Sequence, residues 1–116
     1  MKATIYHNPR CSKSRQTLAL LGEKGIDIEI IEYLKTPPDQ KTIKDILAKL
    51  GIKASDLMRK NESIFSELKL ADKIDDTEAL VGAMVENPIL IERPIVLANN
   101  KAAIGRPPEA VLDILK

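Results

Sequence analysis

The stretch ATIYHNPRCSKSRQTLALLGEKGIDIEIIEYL, residues 3–34, decides the fold. ATIYH alternates small or apolar residues with polar ones and holds two β-branched side chains, a strand pattern that Asn8 and Pro9 terminate. From Ser12 to about Lys24 no proline intervenes, Leu18 and Leu21 are spaced to share a helical face, and Gly25 suits the stop. IDIEIIEYL then sets Ile26, Ile28 and Ile30 on one side of a pleated strand, and Thr36-Pro37-Pro38 closes it. Strand, helix, strand in that order predicts a βαβ unit whose two strands run parallel.

Working outward, residues 38–88 read as helical. Ile43, Ile46, Leu47 and Leu50 recur at i, i+3, i+4, i+7, and Leu80, Val81, Met84 and Val85 form a second face. Shorter helical turns are expected around Ser55–Lys60 and Ile64–Leu68. RPIVLANNKAAIG places two apolar runs on either side of Asn99-Asn100, a dipeptide that tolerates positive φ and suits a tight hairpin. RPPEAVLDILK opens on prolines tolerated in a first helical turn and repeats apolar residues at Val111, Ile114 and Leu115, which predicts a closing helix. The order β-α-β, helical insertion, β-β-α is that of an α/β, thioredoxin-like fold. The 116 residues form a single domain enlarged by an insertion at about 38–88.

Composition narrows the function. Eighteen basic and seventeen acidic side chains nearly cancel, so no overall field recruits nucleic acid or an anionic membrane. Tyr6, Tyr33 and Phe65 are too few aromatics for a base-stacking platform. No apolar run approaches the roughly 18–20 residues that span a bilayer, and MKATIYHNPR has no signal-peptide core, so a cytoplasmic monomer is expected. One cysteine forms no intrachain disulfide, and one Cys with one His supplies too few ligands for zinc; no metal is expected.

That cysteine, Cys11, falls where the first strand's loop meets the helix. Unpaired N–H groups and the positive end of the helix dipole point there and favour thiolate over thiol. A free cysteine is often inert packing, but this one lies in a polar turn between Asn-Pro-Arg and Ser-Lys-Ser-Arg. Ser14 and Arg15 follow at three and four residues, on the same helical face, and His7 at the strand end offers a further donor or charge. Arg59, in the insertion, and Arg93 and Arg106, each directly before a proline, are candidates for an anion clamp, since the guanidinium fork suits tetrahedral oxyanions. The Arg93-Pro94 bond before a strand makes Pro94 a cis-proline candidate.

With YHNPRCSKSRQTL, YLKTPP, LMRKNE, NPILIERPIV and GRPPEAVLDIL in this order, the chain resembles the glutaredoxin-dependent arsenate reductases of the ArsC type over nearly its whole length, and within them a short branch without the C-terminal extension. The resemblance implies that Cys11 is the nucleophile that attacks arsenate, with Arg59, Arg93 and Arg106 at the oxyanion-binding positions. His7, Ser14 and Arg15 match residues that tune the thiolate or shape its loop. It implies no bound cofactor, glutathione as co-substrate and glutaredoxin as the partner that resolves a mixed disulfide. Two positions depart from the pattern: Arg10, where well-characterised members carry a small residue, and Gly105, where some carry a further cysteine. The phosphatase-like arsenate reductases use a C-x5-R loop, whereas the residue six after Cys11 is Thr17. Two other functions fit the same scaffold: a general glutathione-linked thiol oxidoreductase, and a redox regulator like Spx, whose C-x-x-C pair is here Cys11 and Ser14.

Overall fold

The computed structural model of the chain describes residues 1–115 and divides them into two compact units, Met1–Thr36 with the chain from Arg93 onward, and Pro37–Glu92. In the first unit β1 (Lys2–His7), α1 (Ser12–Glu23) and β2 (Asp27–Glu32) form the βαβ unit, followed by β3 (Ile95–Ala98) and β4 (Lys101–Ile104). The sheet order is β2-β1-β3-β4. β1 and β2 are parallel from Lys2↔Asp27 to His7↔Glu32, and β3 runs antiparallel to both β1 and β4. The β3–β4 hairpin turns through Asn99 and Asn100 at φ 53° and 61°, the left-handed pair that a two-residue turn between twisted strands requires.

Alternation along β1 decides what faces the helix. Ala3 and Ile5 point into a core completed by Leu21 of α1, Val96 and Ala98 of β3, and Val111 and Ile114. α1 buries Ser14, Thr17 and Leu21, so its inward stripe is polar for its first turns and apolar only later. The closing segment, expected as an ordinary helix, is a 3-10 helix over Pro108–Ile114. Its buried residues, Pro108, Val111 and Ile114, are spaced by three, which three residues per turn place in one row. Ile26 and Ile28 pack on the core as expected, but Ile30, on the edge strand β2, is 50% exposed although its register partner Ile5 is fully buried.

The second unit contains α2 (Gln40–Leu50), α3 (Ser63–Glu67) and α4 (Thr77–Glu86), with 3-10 turns at Ala54–Leu57, Leu70–Lys73 and Pro88–Leu90. α2 packs on α4, the first burying Ile43, Ile46 and Leu47 and the second Leu80, Val81, Ala83 and Met84. Asp39 and Asp76 cap the two helices by accepting from the Thr42 and Ala79 N–H groups at 2.8 and 3.1 Å. The turn expected at Ser55–Lys60 starts one residue earlier and ends at Leu57. Met58 instead forms a bridge with Ile91, flanked by Arg59 N–H donating to Leu90 O and Glu92 N–H to Leu57 O, both at 2.7 Å. Among the described residues no helix is long and apolar enough to cross a membrane.

Candidate active site

Cys11 is the N-cap of α1, in extended conformation at φ −94° and ψ 123°, with its side chain half-buried. Its N–H donates to Asn8 O and its carbonyl accepts from Arg15 N–H, both at 3.0 Å, so the loop closes directly onto the first helical turn. The sulfur is therefore held where the N–H groups of that turn are unpaired. Burial by itself pushes the thiol up. The Ser14 N–H, the Arg93 charge, the Lys13 N–H and the Arg106 charge together outweigh it and hold Cys11 below the ordinary thiol range.

The Arg106 guanidinium hydrogen-bonds the sulfur. Its Nη2 donates to Cys11 Sγ at 3.5 Å while its Nε donates to Arg93 O at 2.8 Å, which fixes the plane of the guanidinium. Arg93 is half-buried, and the Arg93-Pro94 and Arg106-Pro107 bonds are both cis. The two arginines thus stand on the segments that enter β3 and leave β4, beside the end of α1 that carries Cys11.

His7 shares the face of β1 that Ala3 and Ile5 use and so meets α1. It is 6% exposed, with Nδ1 at 2.6 Å from the Ser14 hydroxyl, which also accepts from Asn8 N–H at 3.0 Å. Burial pushes the imidazole down, the Glu32 carboxylate opposes this, and the Arg15 charge adds to it; the balance is downward, which favours the neutral ring. Ser14 therefore reaches the sulfur through its N–H, while its hydroxyl ties strand end, loop and helix together. Arg15 extends outward and donates from Nη1 to Pro9 O at 3.0 Å, bracing the loop. Arg59 belongs to the second unit, where its Nη2 pairs with Glu62 at 2.9 Å.

The sequence shows Asn8 only as the end of the first strand and Gly105 only as a departure from the family pattern, and both do more in the fold. Asn8 organises the loop three ways: its carbonyl accepts from Cys11, its N–H donates to Ser14, and its side-chain oxygen accepts from Arg10 N–H at 3.0 Å. An asparagine before a proline at a strand end is the signal that marks such a turn. A Cβ built on Gly105 would collide with Thr17 Oγ1 and stand 2.8 Å from Pro94 Cγ, so the backbone at 105 lies directly against the helix. Nothing in a linear pattern announces that approach.

The ArsC family model matches residues 6–114. The chain is 58% identical to Uncharacterized protein YfgD of Escherichia coli K12, over 96% of this chain and 94% of that one. It is 51% identical to an arsenate reductase of Neisseria meningitidis, over 96% of each. Its fold superposes on the solved structure of an arsenate reductase from Vibrio cholerae with TM-score 0.94 at 49% identity, covering 98% of both chains. A cysteine at the first helix's N-cap, an arginine on its sulfur, and a match running through every element of a thioredoxin-like chain converge: the protein belongs to the ArsC family.

Proposed function

We propose that the protein is an arsenate reductase that works through a Cys11 thiolate, with glutathione and glutaredoxin as reductants. The observation that carries the reading is the Arg106 guanidinium at 3.5 Å from Cys11 Sγ, on a cysteine already biased toward thiolate by helix N–H groups. Such a sulfur is nucleophilic at neutral pH, and any tetrahedral anion whose central atom it attacks brings its oxygens within reach of the same guanidinium. Arg93, the other charge that depresses the thiol, shares the oxyanion in this reading. Arg59 enters this reading through the resemblance alone.

In the proposed sequence the Cys11 sulfur bonds to arsenic and one arsenate oxygen leaves, protonated, as water. The glutathione sulfur then joins Cys11 in a disulfide, the electron pair passes to arsenic, and arsenite departs. Glutaredoxin returns Cys11 to the thiolate by taking over the glutathionyl group. Two thiols are needed for each two-electron reduction, and this chain has one, so the second comes from outside.

A coupled system of glutathione, glutaredoxin, glutathione reductase and NADPH tests the reading. The expected result is arsenate-dependent NADPH oxidation that is abolished in Cys11→Ser; an arsenate rate no higher than that variant's rejects it. A general thiol oxidoreductase without arsenate turnover would instead reduce disulfide substrates and keep doing so in Arg93→Ala and Arg106→Ala.

A further inference from the structure

The fully buried Thr17 lies six residues along α1 from Cys11, and its hydroxyl donates to Lys13 O at 2.8 Å, so its rotamer is fixed. Against it lies the Cα of Gly105, itself buried, whose N–H donates to Pro94 O at 2.9 Å. The next residue is Arg106, bound through Nε to Arg93 O and through Nη2 to Cys11. α1 therefore touches the segment after β4 at two points: through Thr17 at Gly105, and through Cys11 at the Arg106 side chain. The first point has no slack. A Cβ at 105 would meet Thr17 Oγ1 at far less than contact distance, Thr17 Cγ2 at 3.1 Å and Pro94 Cγ at 2.8 Å.

We propose that the bare Cα of Gly105 seated on Thr17 is a positioning contact that sets how closely Arg106 approaches the Cys11 sulfur. Relieving a Cβ clash at this point requires the segment to back away from α1 by about 1 Å, because packed interiors transmit such strain instead of absorbing it. The Arg106 contact with sulfur, at 3.5 Å, is an ordinary N–H···S hydrogen bond, and a retreat of about 1 Å carries it out of hydrogen-bonding reach. Gly105 and Thr17 do not themselves meet the reacting atoms; they act through Arg106. The consequence for turnover rests on the proposed arsenate reduction, but the placement of Arg106 does not.

The test therefore reads the sulfur and not arsenate. The pH dependence of Cys11 alkylation by iodoacetamide is measured for wild type, Arg106→Ala, Gly105→Ala, Thr17→Ala and the double variant Gly105→Ala/Thr17→Ala, with thermal unfolding alongside. Arg106→Ala sets the scale by raising the alkylation midpoint. Gly105→Ala is expected to raise it in the same direction, slowing alkylation below the midpoint by about threefold to tenfold. Thr17→Ala alone is expected to lower stability and leave the midpoint in place. In the double variant the alanine methyl meets no threonine hydroxyl or methyl and only the Pro94 ring Cγ, which a change of ring pucker moves aside, so the midpoint is expected to return toward wild type even though Thr17→Ala removes native packing. A merely structural role gives additive losses and no such return. If Gly105→Ala does not fold but the double variant does, the midpoint of the double variant decides: at the wild-type value it keeps the proposal, and at the Arg106→Ala value it overturns it. The proposal is overturned if Gly105→Ala alkylates as wild type does, if adding Thr17→Ala to Gly105→Ala fails to bring the midpoint back, or if neither glycine variant folds. A wild type inert toward arsenate but showing this pattern would reject the proposed function and leave the positioning contact standing.

Discussion

Cys11 and His7 stand two positions either side of Pro9 and are both held below their ordinary values, for opposite chemical reasons: the thiol because its anion is stabilised, the imidazole because its cation is desolvated. The consequence for stability has the same sign. Between the folded and unfolded values of either group the unfolded chain binds the extra proton, so stability rises with pH through that window and is lost as pH falls through it. For His7 the window opens at the ordinary histidine value of about 6.5 and extends downward. Chemical denaturation is therefore expected to give a falling midpoint between about pH 7 and pH 5.5, above the range where ordinary carboxylates titrate. His7→Gln, which has no proton to take up, is expected to flatten that slope. An unchanged slope in the variant would mean that the ring is not kept neutral by the fold. The cost of a neutral, buried His7 is offset locally, since its Nδ1 meets the Ser14 hydroxyl at 2.6 Å and that hydroxyl also receives the Asn8 N–H.

At the scale of elements, glycines in the second unit separate two physical effects. Gly51 ends α2 in the left-handed region at φ 67°, with its N–H donating to Leu47 O at 2.9 Å, and a Cβ there would meet nothing within 4 Å. Only backbone strain opposes a side chain, so Gly51→Ala is expected to destabilise by about 1 kcal/mol. Gly82 lies inside α4 with equally open surroundings, and Gly82→Ala is expected to stabilise by about 0.5–1 kcal/mol through helix propensity and a stiffer unfolded chain. Urea titration of the two variants reads both signs; a loss at Gly82 or a gain at Gly51 would show that tertiary context overrides the local rule. α2 was legible because Ile43, Ile46 and Leu47 make an unbroken apolar stripe, and the hairpin because Asn99-Asn100 suits only one kind of turn. α1 was legible by its boundaries more than by its face: Ser14 and Thr17 are polar yet fully buried, so the inward stripe leaves no hydrophobic period over those turns. The closing 3-10 helix was misread for a related reason, since Val111, Ile114 and Leu115 also satisfy an α-helical spacing and only the burial of Pro108, Val111 and Ile114 in one row distinguishes the two.

Over the whole molecule, the thioredoxin-like topology brings Arg106 to Cys11 across 95 residues, because β1 and β3 are neighbours and the chain leaves β4 beside the start of α1. The order of elements made that meeting of segments legible, whereas the Gly105–Thr17 approach depends on ångström-level packing that no periodicity encodes. The single thiol of the sequence stands at an N-cap, half-exposed to solvent. Oxidation by glutathione disulfide must then proceed by one exchange: Cys11 thiolate attacks a sulfur, glutathione thiolate leaves, and one mixed disulfide forms. Lowering a thiol's pKa by one unit raises its thiolate fraction tenfold below the midpoint but reduces intrinsic nucleophilicity by about threefold, for a net gain of about threefold. At neutral pH the folded protein is therefore expected to take up one glutathionyl group, seen by intact mass spectrometry, faster than the same chain in denaturant, with Cys11→Ser taking up none. A folded chain that reacts no faster than the unfolded one would mean that burial, not the helix N–H groups and arginines, controls the sulfur.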